Sequence, residues 1–244
     1  MIKSLIVLFA LIGAIYAKSP LLSLGPDALQ EHLKSTNTPS IVAFVAPWCG
    51  HCQRAKPELE KAAKALGGVV HVATVDCEEH KEVCGRYGIQ GFPTIKLLRN
   101  HGKEIDDYNG QRTAKAISDY GMFYLNQMQD PVRQLRLENM RSVQKELENA
   151  NFKVVLLTNK KSNPTLFKSL ALEFESKADF FFASLDDEKL GLLNAYAKTS
   201  IEKLPSIIGL KALKDGENGG EVPLSERVFI YSGALKKYDL SDWV

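Results

Sequence analysis

The chain has almost no charge excess. Its 31 Lys and Arg stand against 29 Asp and Glu, a formal net charge of +2 over 244 residues. The two signs are mixed along the chain and no basic stripe forms, which excludes the electrostatic footprint of a nucleic-acid binder. Cysteine is scarce: Cys49, Cys52, Cys77 and Cys84 all fall in the first half. Only one C-x-x-C spacing occurs, so a second redox pair of that kind is excluded. Cys77, His80 and Cys84 could be metal ligands, but they lack a fourth ligand at zinc-site spacing. Long apolar runs are also missing beyond Leu5–Ile15, which is too short to span a bilayer comfortably.

That run follows Lys3 and ends at Ala14-Ile15-Tyr16-Ala17. A basic start, an apolar centre and a small residue at the cut read as a secretory signal peptide over residues 1–17. No stable membrane span is expected once it is removed. The mature chain then meets an oxidising compartment, where an even cysteine count suggests two pairs. Cys77 and Cys84 lie seven residues apart, and a bridge between them reads as structural.

Length and the 45% apolar fraction suit two packed domains. In the first, short strands alternate with helices. Strands are expected at Leu21–Leu24, Ile41–Val45, Val69–Val75, Ile95–Arg99 and Ile105–Tyr108. Helices are expected at Ala28–Ser35, Gln53–Leu66, Glu78–Tyr87 and from Thr113 to about Leu125, with Pro57 kinking the second. Such alternation argues an α/β fold with helices on both faces of a sheet. Trp48-Cys49-Gly50-His51-Cys52 falls where a strand turns into a helix. There the unpaired N–H groups and positive dipole end stabilise an anion, so Cys49 should be an exposed thiolate nucleophile with a depressed pKa. Cys52, one turn inside, should be the buried resolver. His51, between the thiols, should add positive charge. Trp48 should stay partly exposed and grip substrate. His32, His71, His80 and His101 read as surface residues.

The second half repeats this order without the chemistry. Strands are expected at Val132–Arg136, Phe152–Leu157, Phe180–Leu185 and Arg227–Tyr231, and helices at Arg141–Glu148, Asn163–Glu175 and Glu188–Ala197. Gly216–Gly220 reads as a turn. Phe44 to Pro93 and Leu156 to Pro205 both span 49 positions, which suggests duplication. At that offset Lys161 and Pro164 replace Cys49 and Cys52. The expected division is 18–126 and 127–244.

Ala46-Pro47-Trp48-Cys49-Gly50-His51-Cys52, Tyr87-Gly88-Ile89-Gln90-Gly91-Phe92-Pro93-Thr94 and Tyr108-Asn109-Gly110-Gln111-Arg112-Thr113 occur in one order. Together they resemble a catalytic thioredoxin-fold domain of the protein disulfide isomerase family, over roughly residues 20–125. The resemblance implies two tandem thioredoxin-like domains, the second redox-inactive. It implies thiol–disulfide exchange by Cys49 and Cys52 with no cofactor and no metal. Gly50 and His51 complete the motif, Arg112 assists deprotonation of Cys52, and Trp48, Phe92 and a cis Pro93 contact substrate. The Cys77/Cys84 pair is similar to a structural disulfide of some members. Partners would be unfolded or misoxidised secretory proteins, with glutathione or an oxidase restoring the disulfide. Residence in the endoplasmic reticulum lumen is expected from leader and resemblance, because Ser241-Asp242-Trp243-Val244 is not a Lys-Asp-Glu-Leu-type retrieval signal. One departure stands out. The family's buried Glu in the strand before the motif is Ala43 here. This keeps open an alternative, a redox-weak chaperone that binds unfolded chains.

Overall fold

The structure is a computed structural model that describes residues 21–135, 152–211 and 227–233. The leader, the 141–148 helix and the 216–220 turn lie outside them. Two compact units form, the first ending at Gln129 and the second beginning at Asp130.

The first unit contains β1 (Leu21–Ser23), α1 (Pro26–Ser35), β2 (Ser40–Val45), α2 (Gly50–Leu66), β3 (His71–Asp76), α3 (Lys81–Arg86), β4 (Thr94–Arg99), β5 (Glu104–Asp107) and α4 (Ala114–Gln127). The strands form one mixed sheet in the order β1-β3-β2-β4-β5. β1, β3 and β2 run parallel, and β4 and β5 are antiparallel. β2 is central and covered on both faces, which is why Ile41 to Val45 reads as an unbroken apolar run. Val42 and Phe44 pack in one cluster with Leu29 and Leu33 of α1 and Val83 of α3. On the other face, α4 comes so close that a Cβ on Gly121 would lie 3.0 Å from both Ile41 and Val70. α4 also packs on α2.

Local chemistry sets the element ends. Pro26 opens α1, where its missing N–H costs nothing. α2 starts three residues before the expected Gln53 because Cys49 itself caps it. It runs unbroken through Pro57 to Gly67, whose φ of 53° gives the left-handed cap that L side chains avoid. The β4–β5 turn takes positive φ at Asn100, His101 and Gly102. His32 corrects the surface assignment: it is 3% exposed, its Nε2 lies 3.0 Å from Ser40 Oγ, and its ring meets His71 edge-on at 4.7 Å.

The second unit contains β6 (Arg133–Gln134), β7 (Phe152–Thr158), α5 (Thr165–Glu173), β8 (Ala178–Ser184), α6 (Asp187–Ala197), β9 (Ser206–Leu210) and β10 (Val228–Ile230). Its order, β6-β8-β7-β9-β10, repeats that of the first sheet strand for strand. The directions repeat too. Both faces of β7 are covered, Val155 and Leu157 in one cluster and Val154 and Leu156 in another. Phe180, Phe181 and Phe182 are core. The two units are tandem thioredoxin-like domains.

Register corrects the equal spacing. Thr94 pairs with Phe44, whereas Ser206 pairs with Leu157 rather than Leu156. The repeat is therefore one residue out of step between these strands. Asn163 does not cap α5 as expected. Pro164 holds that position, while the Asn163 amide donates to Asp130 at 3.1 Å. β7 also hides a charge that its apolar pattern did not reveal. Lys153 is fully buried, and burial, with Arg227 nearby, pushes its ammonium down to about 8 against the opposing pull of Asp179.

Cys77 and Cys84 are joined by a disulfide between the end of β3 and α3. This takes both sulfurs out of the metal-ligand alternative. The bridge closes a short loop, worth about 2–3 kcal/mol by loop entropy. Replacing both cysteines by Ala should lower the melting temperature by about 10 °C, read by calorimetry. An unchanged melting temperature would show that packing of Val83 and Tyr87 holds this corner without the bridge.

Candidate active site

Three loops at the C-terminal ends of β2 and β3 and the N-terminal end of β4 meet around Cys49. β2 ends at Val45, and the chain turns through Ala46, Pro47 and Trp48 into α2. Cys49 is the N-cap. Its sulfur accepts the backbone N–H of Cys52 at 3.2 Å, satisfying one of the donors that a helix start leaves open. Both cysteines are thiols.

The expectation of an exposed Cys49 above a buried Cys52 is corrected. The residues are 6% and 5% exposed, packed with Ala46, Val45 and Phe92. What separates them is electrostatic. Burial works against the Cys49 thiolate. It is outweighed by the Cys52 thiol and the N–H groups of Cys52 and His51 donating to the sulfur, with the Arg112 charge adding to them, so Cys49 lies below the usual thiol value. Cys52 is pushed up to about 11. Burial is the first cause, then the bond it donates to Cys49 and the repulsion of that sulfur, which the Ala46 backbone bond and Arg112 only partly offset.

The cis Phe92–Pro93 peptide lies across from the thiols. As a thiol, Cys49 donates to the Phe92 carbonyl at 3.5 Å. The Pro93 carbonyl accepts from Arg112 Nη2 at 3.2 Å. Arg112 is thus already tethered to this loop, and its charge favours both thiolates from there. The His51 imidazole turns to Arg54, with Nδ1 3.0 Å from that guanidinium. What His51 supplies to the Cys49 sulfur is its backbone N–H. Gly50 is the first residue of α2, and a Cβ there would meet only the end of the Arg54 side chain at 3.9 Å.

Trp48 is 67% exposed beside the thiols. Its Nε1–H donates to Glu78 Oε1 at 3.0 Å, and its ring meets Phe92 edge-on at 5.8 Å. The indole is pinned at one end and leaves an apolar face to solvent. Glu78 escaped the sequence reading, because a contact 30 residues away leaves no local pattern. Ala43 is fully buried. Alternation puts it on the same sheet face as Val45, which packs against the cluster of Ala46, Cys49 and Cys52. A carboxyl at position 43 would therefore point toward the layer that holds the two thiols. Among the described residues no cluster of His, Cys, Asp and Glu could hold a metal ion. No helix among them is long and apolar enough to cross a membrane.

The split between the thiols has a pH signature. Cys49 lies below the ordinary value, so its thiolate is enriched near neutrality and lost as pH falls through its pKa. Cys52 near 11 is thiolate in only about one molecule in 10,000 at pH 7. Absorbance at 240 nm of the reduced protein should rise in two separate steps. Cys49→Ser should remove the lower step, and iodoacetamide at pH 7 should label Cys49 before Cys52. A single step near the ordinary thiol value, or first labelling of Cys52, would contradict the assignment.

Residues 21–121 match the thioredoxin family. Protein disulfide-isomerase MPD1 of Saccharomyces cerevisiae is 33% identical over 212 residues, covering 79% of this chain and 64% of that protein. Protein disulfide-isomerase A6 of Mesocricetus auratus is 41% identical over 121 residues, 49% of this chain and 28% of the relative. Protein disulfide-isomerase like 2-2 of Arabidopsis thaliana is 44% identical over 119 residues, 47% and 26% of the two chains. The chain spans less than two thirds of the length of each of these relatives. The three stretches around the two thiols, the second sheet that repeats the first, and these likenesses agree: residues 21–121 form a thioredoxin-family domain, and most of the chain is similar to protein disulfide isomerases.

Proposed function

We propose that the chain forms and rearranges disulfide bonds in proteins folding in the secretory pathway, within the endoplasmic reticulum lumen. Residues 18–126 would be the catalytic domain and 127–244 a redox-inactive one. The observation that carries this reading is the split between the two thiols, Cys49 lowered and Cys52 pushed up to about 11. Thiolate is the attacking species and the better leaving group, so the split gives each cysteine one task.

In the oxidised form, a client thiolate attacks the Cys49 sulfur. The Cys49–Cys52 bond breaks, its electron pair goes to Cys52, and a mixed disulfide forms. A second client thiolate attacks the client sulfur of that bond and releases Cys49 as thiolate. Two electrons have then passed from client to enzyme, and oxidised glutathione or an oxidase must remove them. In the reduced form, the Cys49 thiolate attacks a client disulfide. Another client thiol displaces it with the pairing changed, or Cys52 attacks Cys49 and frees a reduced client. Arg112, on the Pro93 carbonyl, steadies negative charge on either sulfur. Trp48 and Phe92 present apolar surface to an unfolded client.

Reactivation of a scrambled disulfide protein tests this reading. Cys49→Ser should lower the rate by at least about 100-fold, since the nucleophile is lost. Cys52→Ala should accumulate mixed disulfides with the client. Full activity in Cys49→Ser would refute exchange at this site.

A second reading follows from Ala43. Escape by Cys52 needs a base, and Ala43, on the sheet face toward this thiol, supplies no carboxylate there. Slow escape would leave client binding as the main activity. Ala43→Glu should speed resolution of a preformed mixed disulfide by about 10-fold or more in stopped flow, provided the two proteins are equally stable. Equal rates would show that proton transfer at Cys52 does not limit escape.

A further inference from the structure

Arg112 carries a charge that both sulfurs feel, yet it stands on an exposed segment ahead of α4. The Tyr108 hydroxyl donates to the Gln111 carbonyl at 2.6 Å just ahead of Arg112, and two further hydrogen bonds tie the segment to the site. One is its own, from Nη2 to the Pro93 carbonyl at 3.2 Å. The other lies two residues on, where the backbone N–H of Ala114 donates to Glu58 Oε2 at 2.8 Å. Glu58 belongs to α2, the helix that bears both cysteines, six residues beyond Cys52 and so about 9 Å along its axis. Its second oxygen accepts from Lys61 at 2.7 Å, which fixes the carboxylate plane. Contacts therefore close into a ring. α2 holds the start of α4 through Glu58, Arg112 holds the cis-proline loop, and the Phe92 carbonyl of that loop returns to Cys49.

We propose that Glu58 is a positioning residue for the exchange reaction: through the Ala114 N–H it fixes Arg112 beside the two thiols and so sets the positive charge they feel. The proposal rests on the exchange function proposed above. It has a sign that separates it from two plainer roles. An anion acting directly on the thiols disfavours thiolate, so its removal would lower the Cys49 pKa. A mere cap of α4 would leave that pKa where it is. A positioning role does the reverse of the first, because losing Glu58 loosens Arg112 and raises it.

The test uses the full chain, reduced, with the Cys49 thiolate titrated by absorbance at 240 nm. Glu58→Ala and Glu58→Asp, the latter charged but too short to reach, should both raise the midpoint, with about threefold less thiolate at pH 7. Glu58→Gln should stay near the wild type, because its amide oxygen accepts the same N–H. In an Arg112→Ala background, Glu58→Asp should add nothing. A lowered midpoint in Glu58→Gln, an unmoved midpoint in Glu58→Asp, or a shift that persists without Arg112 would overturn the proposal. If Arg112→Ala alone leaves the midpoint unchanged, the proposal falls while Cys49 exchange stands. If Cys49→Ser retains scrambled-protein activity, the exchange reading itself has failed.

Discussion

The reactive end of the first domain depends on one hydrogen bond, from the Cys52 N–H to the Cys49 sulfur. A helix start must offer its open N–H groups to some acceptor. Here the acceptor is the atom that does the chemistry. A thiolate accepts better than a thiol, so the backbone favours the charged form of Cys49 for the same reason that it favours a capped helix. Any step that removes charge from this sulfur also weakens the cap. The fold of α2 and the redox state of the pair are thereby linked.

Burial alone does not distinguish the two thiols, which are shielded almost equally. Direction does. Cys49 faces donors, whereas Cys52 donates to Cys49 and pays for desolvation with little return. Arg112 favours both thiolates and so tunes the pair without setting their order. The cis-proline loop supplies the carbonyl that receives the Cys49 thiol and the one that anchors Arg112. A loop with no titratable side chain of its own thus organises the charges around it.

The α/β class, the strand-to-helix placement of the motif and the doubled architecture were legible because apolar period and turn residues are local signals. So was the place of Cys49 at the helix mouth, although not the cap it forms or the early start of α2 that the cap produces. What sequence could not disclose lies between elements. The Glu58–Ala114 and Trp48–Glu78 bonds join residues 56 and 30 positions apart. His32 reads as an ordinary polar residue on α1 until Ser40 and His71 enclose it. Lys153 sits in an apolar run whose pattern conceals one buried ammonium. Equal spacing between Phe44–Pro93 and Leu156–Pro205 suggested a register that strand pairing places one residue away. Spacing counts residues, whereas pairing counts hydrogen bonds, and the two part wherever a connecting loop changes length.

The second domain keeps the sheet order and a cis Leu204–Pro205 peptide while lacking any thiol in its described residues. The scaffold therefore persists without the chemistry. The central claim is that interactions at the start of α2 stabilise the Cys49 thiolate and so favour the reduced pair. It is tested most directly by the reduction potential of the Cys49/Cys52 couple, equilibrated against glutathione. The account predicts a potential well above the roughly −270 mV of a thioredoxin-type reductant, near the roughly −180 mV of an oxidising isomerase. A value at or below that of thioredoxin would contradict it.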